Sequence, residues 1–508
     1  MDVSSEAGGD IYSEQFHSHT NIPYTYPENF STFTSYTLTA KPNVADGYAF
    51  YSWTVQSITD DCKGQTVTTY TSFQNPITVS TVVESKYVTA NFIKLSSASA
   101  LYFPHISAKT PWQTEIALFN MGQEENVTCI LMSFADDGRP IETKYILIVP
   151  NGRRQIIVGN EFRNADQIGY IIGYSNVPVL QGYTKFYQDG KYRAAIPAVT
   201  EVNSGNIYIT HVASNNTFWT GLSLVNTLSV PKDLTITFNT GQTADVSLNA
   251  NEHKAFSIAS LFGNRKQPDI KSGFIADAGG IVGLELFGTD RQLEGILLTD
   301  NTFTTLYYPH VADPAKWWTG VVAYNPSNAA CTMRIIPYSA DGIALATSAV
   351  SIGGREKYFG VVSSLGLPAE TAWFKINSTQ PITGFELFGS LDGKQLGAYA
   401  QNKISGAKQG FFAKIDLAGW TGIAFVNMEG LKSSVILSAY NNNNALIATT
   451  TIEVAPYAKV VKLAEAIFAP QDITNATFIT FSADRQVVGF QLNGAQNNEL
   501  LDGLSAMH

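Results

Sequence analysis

Charge is scarce in this 508-residue chain: Asp, Glu, Lys and Arg make up 15% of it, against 44% hydrophobic residues. Long solvated helices draw heavily on those four residue types, so a mainly helical fold is disfavoured. Basic residues are not concentrated either. The formal net charge is −10, and Arg153-Arg154 is the densest cationic pair. A nucleic-acid partner needs a counter-charge to phosphate, so none is expected. Only three cysteines occur (Cys62, Cys129, Cys331), too few for a disulfide framework and without the spacing of a metal knuckle. They are expected to be small buried side chains. No apolar run reaches membrane-spanning length, so no transmembrane helix is expected. Met1–Asp10 has neither a basic nor an apolar segment, and no signal peptide is expected within this chain. Also missing are GxSxG, a phosphate-binding loop, HExxH, and any Cys/His set suited to nucleophilic chemistry. No cofactor and no metal is expected, and the chain is not expected to be an enzyme.

What is abundant points to strands. The chain holds 24 Tyr, 29 Phe and 40 Gly, with much Thr, Ser, Val and Ile, the residues of pleated sheets and tight turns. A repeat then organises the sequence. Tyr102-Phe103-Pro104-His105-Ile106, followed by Trp112-Gln113-Thr114 and Asn120, returns as Tyr208-Ile209-Thr210-His211-Val212 with Trp219-Thr220 and Asn226. It returns again as Tyr308-Pro309-His310-Val311 with Trp318-Thr319 and Asn325, and in degraded form as Phe412-Ala413-Lys414-Ile415 with Trp420-Thr421 and Asn427. Gly182-Tyr183, Gly283-Leu284-Glu285-Leu286-Phe287-Gly288, Gly384-Phe385-Glu386-Leu387-Phe388-Gly389 and Gly489-Phe490-Gln491-Leu492-Asn493-Gly494 mark the far end of each unit. Both landmarks share a period of roughly 100 residues, the size of a whole β-sandwich and too long for a solenoid rung. Alternating runs broken by Asp137-Gly138 or Asp341-Gly342 read as hairpins, since such turns need positive φ.

The segment before the repeats is different. It carries Leu38-Thr39-Ala40, then Gly47-Tyr48-Ala49-Phe50-Tyr51-Ser52-Trp53, then Asn75-Pro76-Ile77-Thr78-Val79 and Lys86-Tyr87-Val88-Thr89-Ala90-Asn91-Phe92. In that order these motifs resemble the InlB B-repeat domains of bacterial surface proteins. The resemblance implies a small β fold, an extracellular setting and no catalysis. This copy departs from the pattern at Asp60 to Phe73, an insertion that includes Cys62 in place of a shorter turn. The four longer units resemble no family that we can name.

The expected fold is therefore all-β: a small β domain followed by four tandem β-sandwich repeat domains. The expected boundaries are an extended arm over 1–32, the InlB B-repeat-like domain over 33–94, and repeats over 100–200, 205–300, 305–402 and 408–508. Short linkers predict either a semi-rigid rod or a compact pseudo-repeat, with shared strands between units as an alternative.

Several residues invite a chemical reading. His105, His211 and His310 each precede a Trp, which suggests ligand contact beside an aromatic platform. The alternative is that the imidazole bonds a carbonyl at a domain junction while the Trp plugs the core. The histidines lie in different units, so they make a poor metal site. Glu285 and Glu386 could form a hydrolytic pair only across one cleft. Strand alternation sets Leu284 and Leu286 opposite Glu285 and predicts a solvated outer face for the carboxylate. Asp136-Asp137-Gly138 lacks calcium-loop spacing and reads as a turn. Ligand contact is thus placed at His105, His211, His310, Trp317 and Trp373, the tryptophans as sugar platforms. The function expected is a non-catalytic bacterial cell-surface or secreted structural or adhesive protein that assembles into a layer or filament. The alternative is a carbohydrate-binding array serving an extracellular enzyme. Expected partners are copies of itself, other surface proteins or glycans.

Overall fold

The fold was analysed in a computed structural model, which describes the chain except residues 1, 6–7, 14–15, 21–23, 26–34, 44–45, 62–63, 81–84, 123, 401–405, 417, 498 and 508. The fold is almost all β, as the composition predicts, with a small N-terminal pair of sheets followed by further sheet units. Cys62 and the linker residues 401–405 lie outside the described residues.

In the N-terminal domain one sheet runs Tyr24–Thr25, Asp2–Ser5, Ser85–Lys94, Tyr48–Asp61, Gly64–Ser72, and the other Phe16–Thr20, Gly9–Ser13, Ser35–Pro42, Ile77–Ser80. The segment before residue 33 therefore supplies strands to both sheets, with Asp2–Ser5 pairing in parallel with Tyr87–Ala90. Residues that carry the family resemblance, among them Leu38, Phe50, Trp53, Val79 and Val88, form the core between the sheets. The insertion forms an edge strand, Gly64–Ser72, hydrogen-bonded to Trp53–Asp61.

Each repeat unit contains eight strand segments in two sheets. In the first unit, Ser99–Phe103, Tyr170–Ser175, Val127–Phe134 and Pro140–Ile148 lie side by side in that order. Facing them are Arg153–Ile157, Gln113–Asn120, Leu180–Gln188 and Tyr192–Pro197. The second unit repeats this order, from Ile207–Ile209 to Leu293–Leu297. In the third and fourth units the sixth and seventh segments fuse into single strands, Trp373–Ser390 and Phe478–Ala495, that run through both sheets. Every unit fills the space between its sheets with its own core. Cys129 and Cys331 are free, buried thiols in the first and third of these cores.

The repeated Asn and Thr explain why the sandwiches share one plan. Asn120, Asn226, Asn325 and Asn427 are fully buried, and each side-chain amide donates to carbonyls of two loops. Each Asn Oδ1 accepts from the backbone N–H two residues on, which closes a tight turn. Thr114, Thr220, Thr319 and Thr421 tie the loop after the repeated His, or after Lys414 in the fourth unit, their hydroxyls accepting from the backbone N–H groups of Ser107, Ala213, Ala312 and Asp416.

The tryptophans do not plug the cores. Trp219, Trp318 and Trp420 precede the buried Thr by one position, so the two-residue strand period turns them to the outer face. Trp318 and Trp420 lie over the cross-strand glycines Gly389 and Gly494, where a Cβ would fall within 2.1 Å of the ring.

The units do not form a rod. Their last strands, Tyr192–Pro197, Leu293–Leu297, Leu396–Ala400 and Leu501–Ser505, pack first to second, second to third, third to fourth and fourth back to first. The result is a closed ring of four sandwiches with four related junctions, the compact form of the two arrangements that the linkers allow.

Candidate functional site at the junctions between units

A basic or imidazole side chain opens the fifth strand of every unit: Arg153, His253, Lys357 and Lys459. Two residues earlier, Asn151, Asn251, Arg355 and Tyr457 all have positive φ, a sharp bend that aims this side chain at the preceding unit. The Asp-Gly turns seen in the sequence dock there. A Cβ on Gly138 would meet the Asn251 carbonyl at 2.6 Å, and one on Gly342 the Pro456 carbonyl at 2.0 Å.

At the first three junctions this side chain faces the repeated His, with His253 Nε2 3.4 Å from His105 Nδ1 at the first; at the fourth, Arg153 donates to the Ala413 carbonyl beside Lys414. At the second junction the Lys357 Nζ lies 3.2 Å from His211 Nδ1. At the third, Lys459 donates to the Ala372 carbonyl at 2.7 Å, while its charge acts on both His310 and Glu386. Burial lowers the His211 and His310 imidazoles well below the ordinary range, and Lys357 and Lys459 add to the shift. Burial together with His253 lowers His105 to about 3. All three histidines are therefore neutral wall residues at neutral pH. They contact Phe186, Phe287 and Phe388 at ring-centroid distances of 5.5, 5.1 and 5.3 Å.

Glu285 and Glu386 are 0% exposed, so the solvated outer face expected for them is corrected. The alternation is as expected, but both strand faces are covered: Leu284 and Phe385 pack toward the preceding unit, Phe287 and Phe388 toward the next. Burial raises both carboxyl groups, against the opposing pull of Lys357 and Lys459. The two glutamates occupy separate junctions and share no cleft.

The first junction holds Ser223, His253 and Asp136 at hydrogen-bonding distances, 2.9 Å for Ser223 Oγ to His253 Nε2 and 2.7 Å for His253 Nδ1 to Asp136 Oδ1. The separations match a catalytic triad; the proton directions do not. Ser223 has one hydroxyl proton and donates it to the Pro104 carbonyl at 2.7 Å. Its oxygen then accepts from His253 Nε2, while Nδ1 faces the Asp136 carboxyl, which that contact holds below the ordinary range. His253 stands in the place that Arg153, Lys357 and Lys459 take elsewhere, and the Ser223 hydroxyl proton points to Pro104 rather than to the imidazole.

The fourth junction closes the ring. Arg153, 2% exposed, donates to the Ala413 carbonyl, Asn442 Oδ1, Gln155 Oε1 and the Tyr183 hydroxyl. Nearby, Asp502 accepts from Arg193, from Lys414 at 3.1 Å and from Asn493 at 2.8 Å. Burial alone would raise Asp502, but Arg193, Lys414 and Lys185 outweigh it and hold the carboxyl below the usual range.

Of the tryptophans assigned to ligand contact, Trp373 is 1% exposed, stacked on Tyr338 at 4.3 Å, with its Nε1 donating to the Tyr457 carbonyl. It offers no face to a sugar. Trp317 is half-buried, at the edge of the third junction. The five residues chosen from sequence are distributed over three junctions rather than gathered in one site. Sequence reasoning missed the fifth-strand cations, whose only signal is a basic or imidazole residue at one fixed repeat position. It also missed an apolar cleft of about 250 Å3 at the first junction, bordered by His105, Trp112, Phe186, Trp219, Ala255 and Leu284.

Among the described residues no group of His, Cys, Asp and Glu could hold a metal ion, and no helix is long and apolar enough to cross a membrane. No protein-family model and no curated protein matches this chain.

Proposed function

We propose that this chain is a non-catalytic structural or adhesive protein of a bacterial surface or extracellular layer, in which the four-unit ring is a rigid base and the N-terminal domain makes the contact. The observation that carries this reading is the edge strand Gly64–Ser72. It reads Gly-Gln-Thr-Val-Thr-Thr-Tyr-Thr-Ser, with no charge and no proline, and residues 65–71 are exposed. Natural edge strands are usually blunted by Lys, Pro, a bulge or a cover, because bare N–H and C=O groups recruit another strand. This one has none of those charges or prolines, and Val67 and Tyr70 are exposed on it. Its outer edge suits strand addition by a second copy or by another surface protein. The family resemblance of the same domain supports the extracellular setting.

The ring suits a base. Its junctions hold buried cations and stacked aromatic rings, and the N-terminal domain rests on the first unit through Phe50 against Tyr145 and the Tyr51 hydroxyl bonded to Asn176. Light scattering across a concentration series tests the proposal. The native chain is expected to self-associate, and a Val67→Lys/Thr69→Lys variant to remain monomeric with unchanged circular dichroism. A native chain that stays monomeric throughout, or a variant that associates equally well, refutes assembly through this edge.

A further inference from the structure

We infer that the cleft at the first junction is a binding site for a small uncharged aromatic molecule, whose ring takes the place that Phe359 and Phe385 fill at the second junction. This goes beyond the structural role proposed above and does not depend on it.

The inference rests on comparing equivalent positions around the ring. At the second junction His211 is enclosed by three phenyl rings: Phe287 at 5.1 Å, Phe359 at 5.0 Å and Phe385 at 6.0 Å. The strand registers fix the counterparts. Phe359 is the third residue of Lys357–Val361, and Ala255 is the third of His253–Ser257. Phe385 and Leu284 both follow the landmark glycine of the seventh strand segment. At the first junction His105 therefore keeps one ring, Phe186 at 5.5 Å, while Ala255 and Leu284 stand where two phenylalanines would be. Both replacements line the cleft. At the third junction Phe490 again follows the landmark glycine and stacks on Phe388 at 5.5 Å and 11°, while Val461 takes the place of Phe359. Relative to the second junction, the cavity is thus an absence of aromatic volume.

The mouth differs as well. Trp318 and Trp420 are laid over Gly389 and Gly494, but the atoms nearest a Cβ on Gly288, the partner of Trp219, belong to Gln292 and Leu293. Trp219 is 36% exposed and borders the cleft instead. Trp112 forms a second indole wall, fixed by stacking on Tyr192 at 5.3 Å and 10°. Leucines 222, 284, 286 and 293 and Phe256 complete an apolar lining. Its polar groups are few: His105, which burial keeps neutral, and the hydroxyls of Ser107, Ser223 and Ser257. A charged ligand would lose its hydration without a partner, and a sugar would leave most hydroxyls unpaired. An aromatic ring suits both the volume and the indole walls.

The test uses the full chain with indole and p-cresol as probes and cyclohexanol and glucose as comparators. Binding is read by ligand-observed NMR and by titration calorimetry. Indole or p-cresol is expected to bind saturably, and Ala255→Phe, which rebuilds the wall of the second junction, should weaken binding at least about ten-fold. The thermal midpoint of that variant shows whether it folds; if it does not, Leu284→Phe provides the same comparison. Absence of saturable aromatic binding, preference for glucose, or binding unchanged in a folded filling variant overturns the assignment.

Discussion

Closure of the ring depends on a buried charge cluster, and that dependence sets the effect of removing Asp502. Asp502 is fully buried and accepts from Arg193, Lys414 and Asn493, joining the first unit to the fourth. Asp502→Ala leaves two buried cations with Asp416 as their remaining carboxylate. Breaking a buried pair by removing one partner costs about 3–5 kcal/mol, because the other charge loses both its hydration and its counter-ion. For a cooperative block of two units, ~2–4 °C per kcal/mol gives a fall of about 6–20 °C in the first calorimetric transition. Small-angle scattering at temperatures just above that transition should show a larger radius of gyration, since the fourth junction has no linker to hold it. The reasoning also fixes a control. Arg193→Leu/Lys414→Met/Asp416→Asn/Asp502→Leu removes all four charges together and should fall within about 1–2 kcal/mol of the native protein, because desolvation and attraction vanish together. A single variant that melts within about 2 °C of the native protein would refute the cluster's role in closure.

Other outcomes follow from the same junctions. Glu285 and Glu386 are raised in the folded state, so the native chain holds protons that the unfolded chain has released, and stability falls as pH rises above the ordinary carboxylate range. Lys357 is lowered, and Lys459 is lowered to about 7, so above that pH the unfolded chain binds more protons and stability climbs toward the ordinary lysine value. The thermal midpoint is therefore expected to fall from pH 5 through pH 7 and to recover as pH approaches 10, and a midpoint that rises or falls steadily from pH 5 to 10 would contradict this. Glu285→Leu/Lys357→Met with Glu386→Leu/Lys459→Met should flatten the trough. Asn226→Ala should cost about 1–3 kcal/mol, since carbonyls of Val230 and Asn249 lose their donor, and denaturant unfolding of the variant measures it.

Two kinds of information separate in this chain. Local chemistry was legible from the sequence: little charge with abundant Thr, Tyr and Phe meant strands, Asp137-Gly138 and Asp341-Gly342 meant turns, and recurring Trp, Asn and glycine landmarks meant four equivalent units. Each of these signals depends on residues close together in the chain, where backbone preference and side-chain period act. The resemblance of residues 33–94 likewise rests on core positions such as Trp53 and Val88. The tertiary structure decided which faces meet. Alternation put Glu285 opposite Leu284 and Leu286, and one strand in isolation would expose that carboxylate; the next unit covers it with Lys357. His105, His211 and His310 looked like a set because they repeat, yet ring packing separates them, and the same packing buries Trp373 against Tyr338. Ala255 and Leu284 are unremarkable as letters. Only superposition on Phe359 and Phe385 around the closed ring shows them as missing volume, because a cavity depends on contacts between residues that no local period connects.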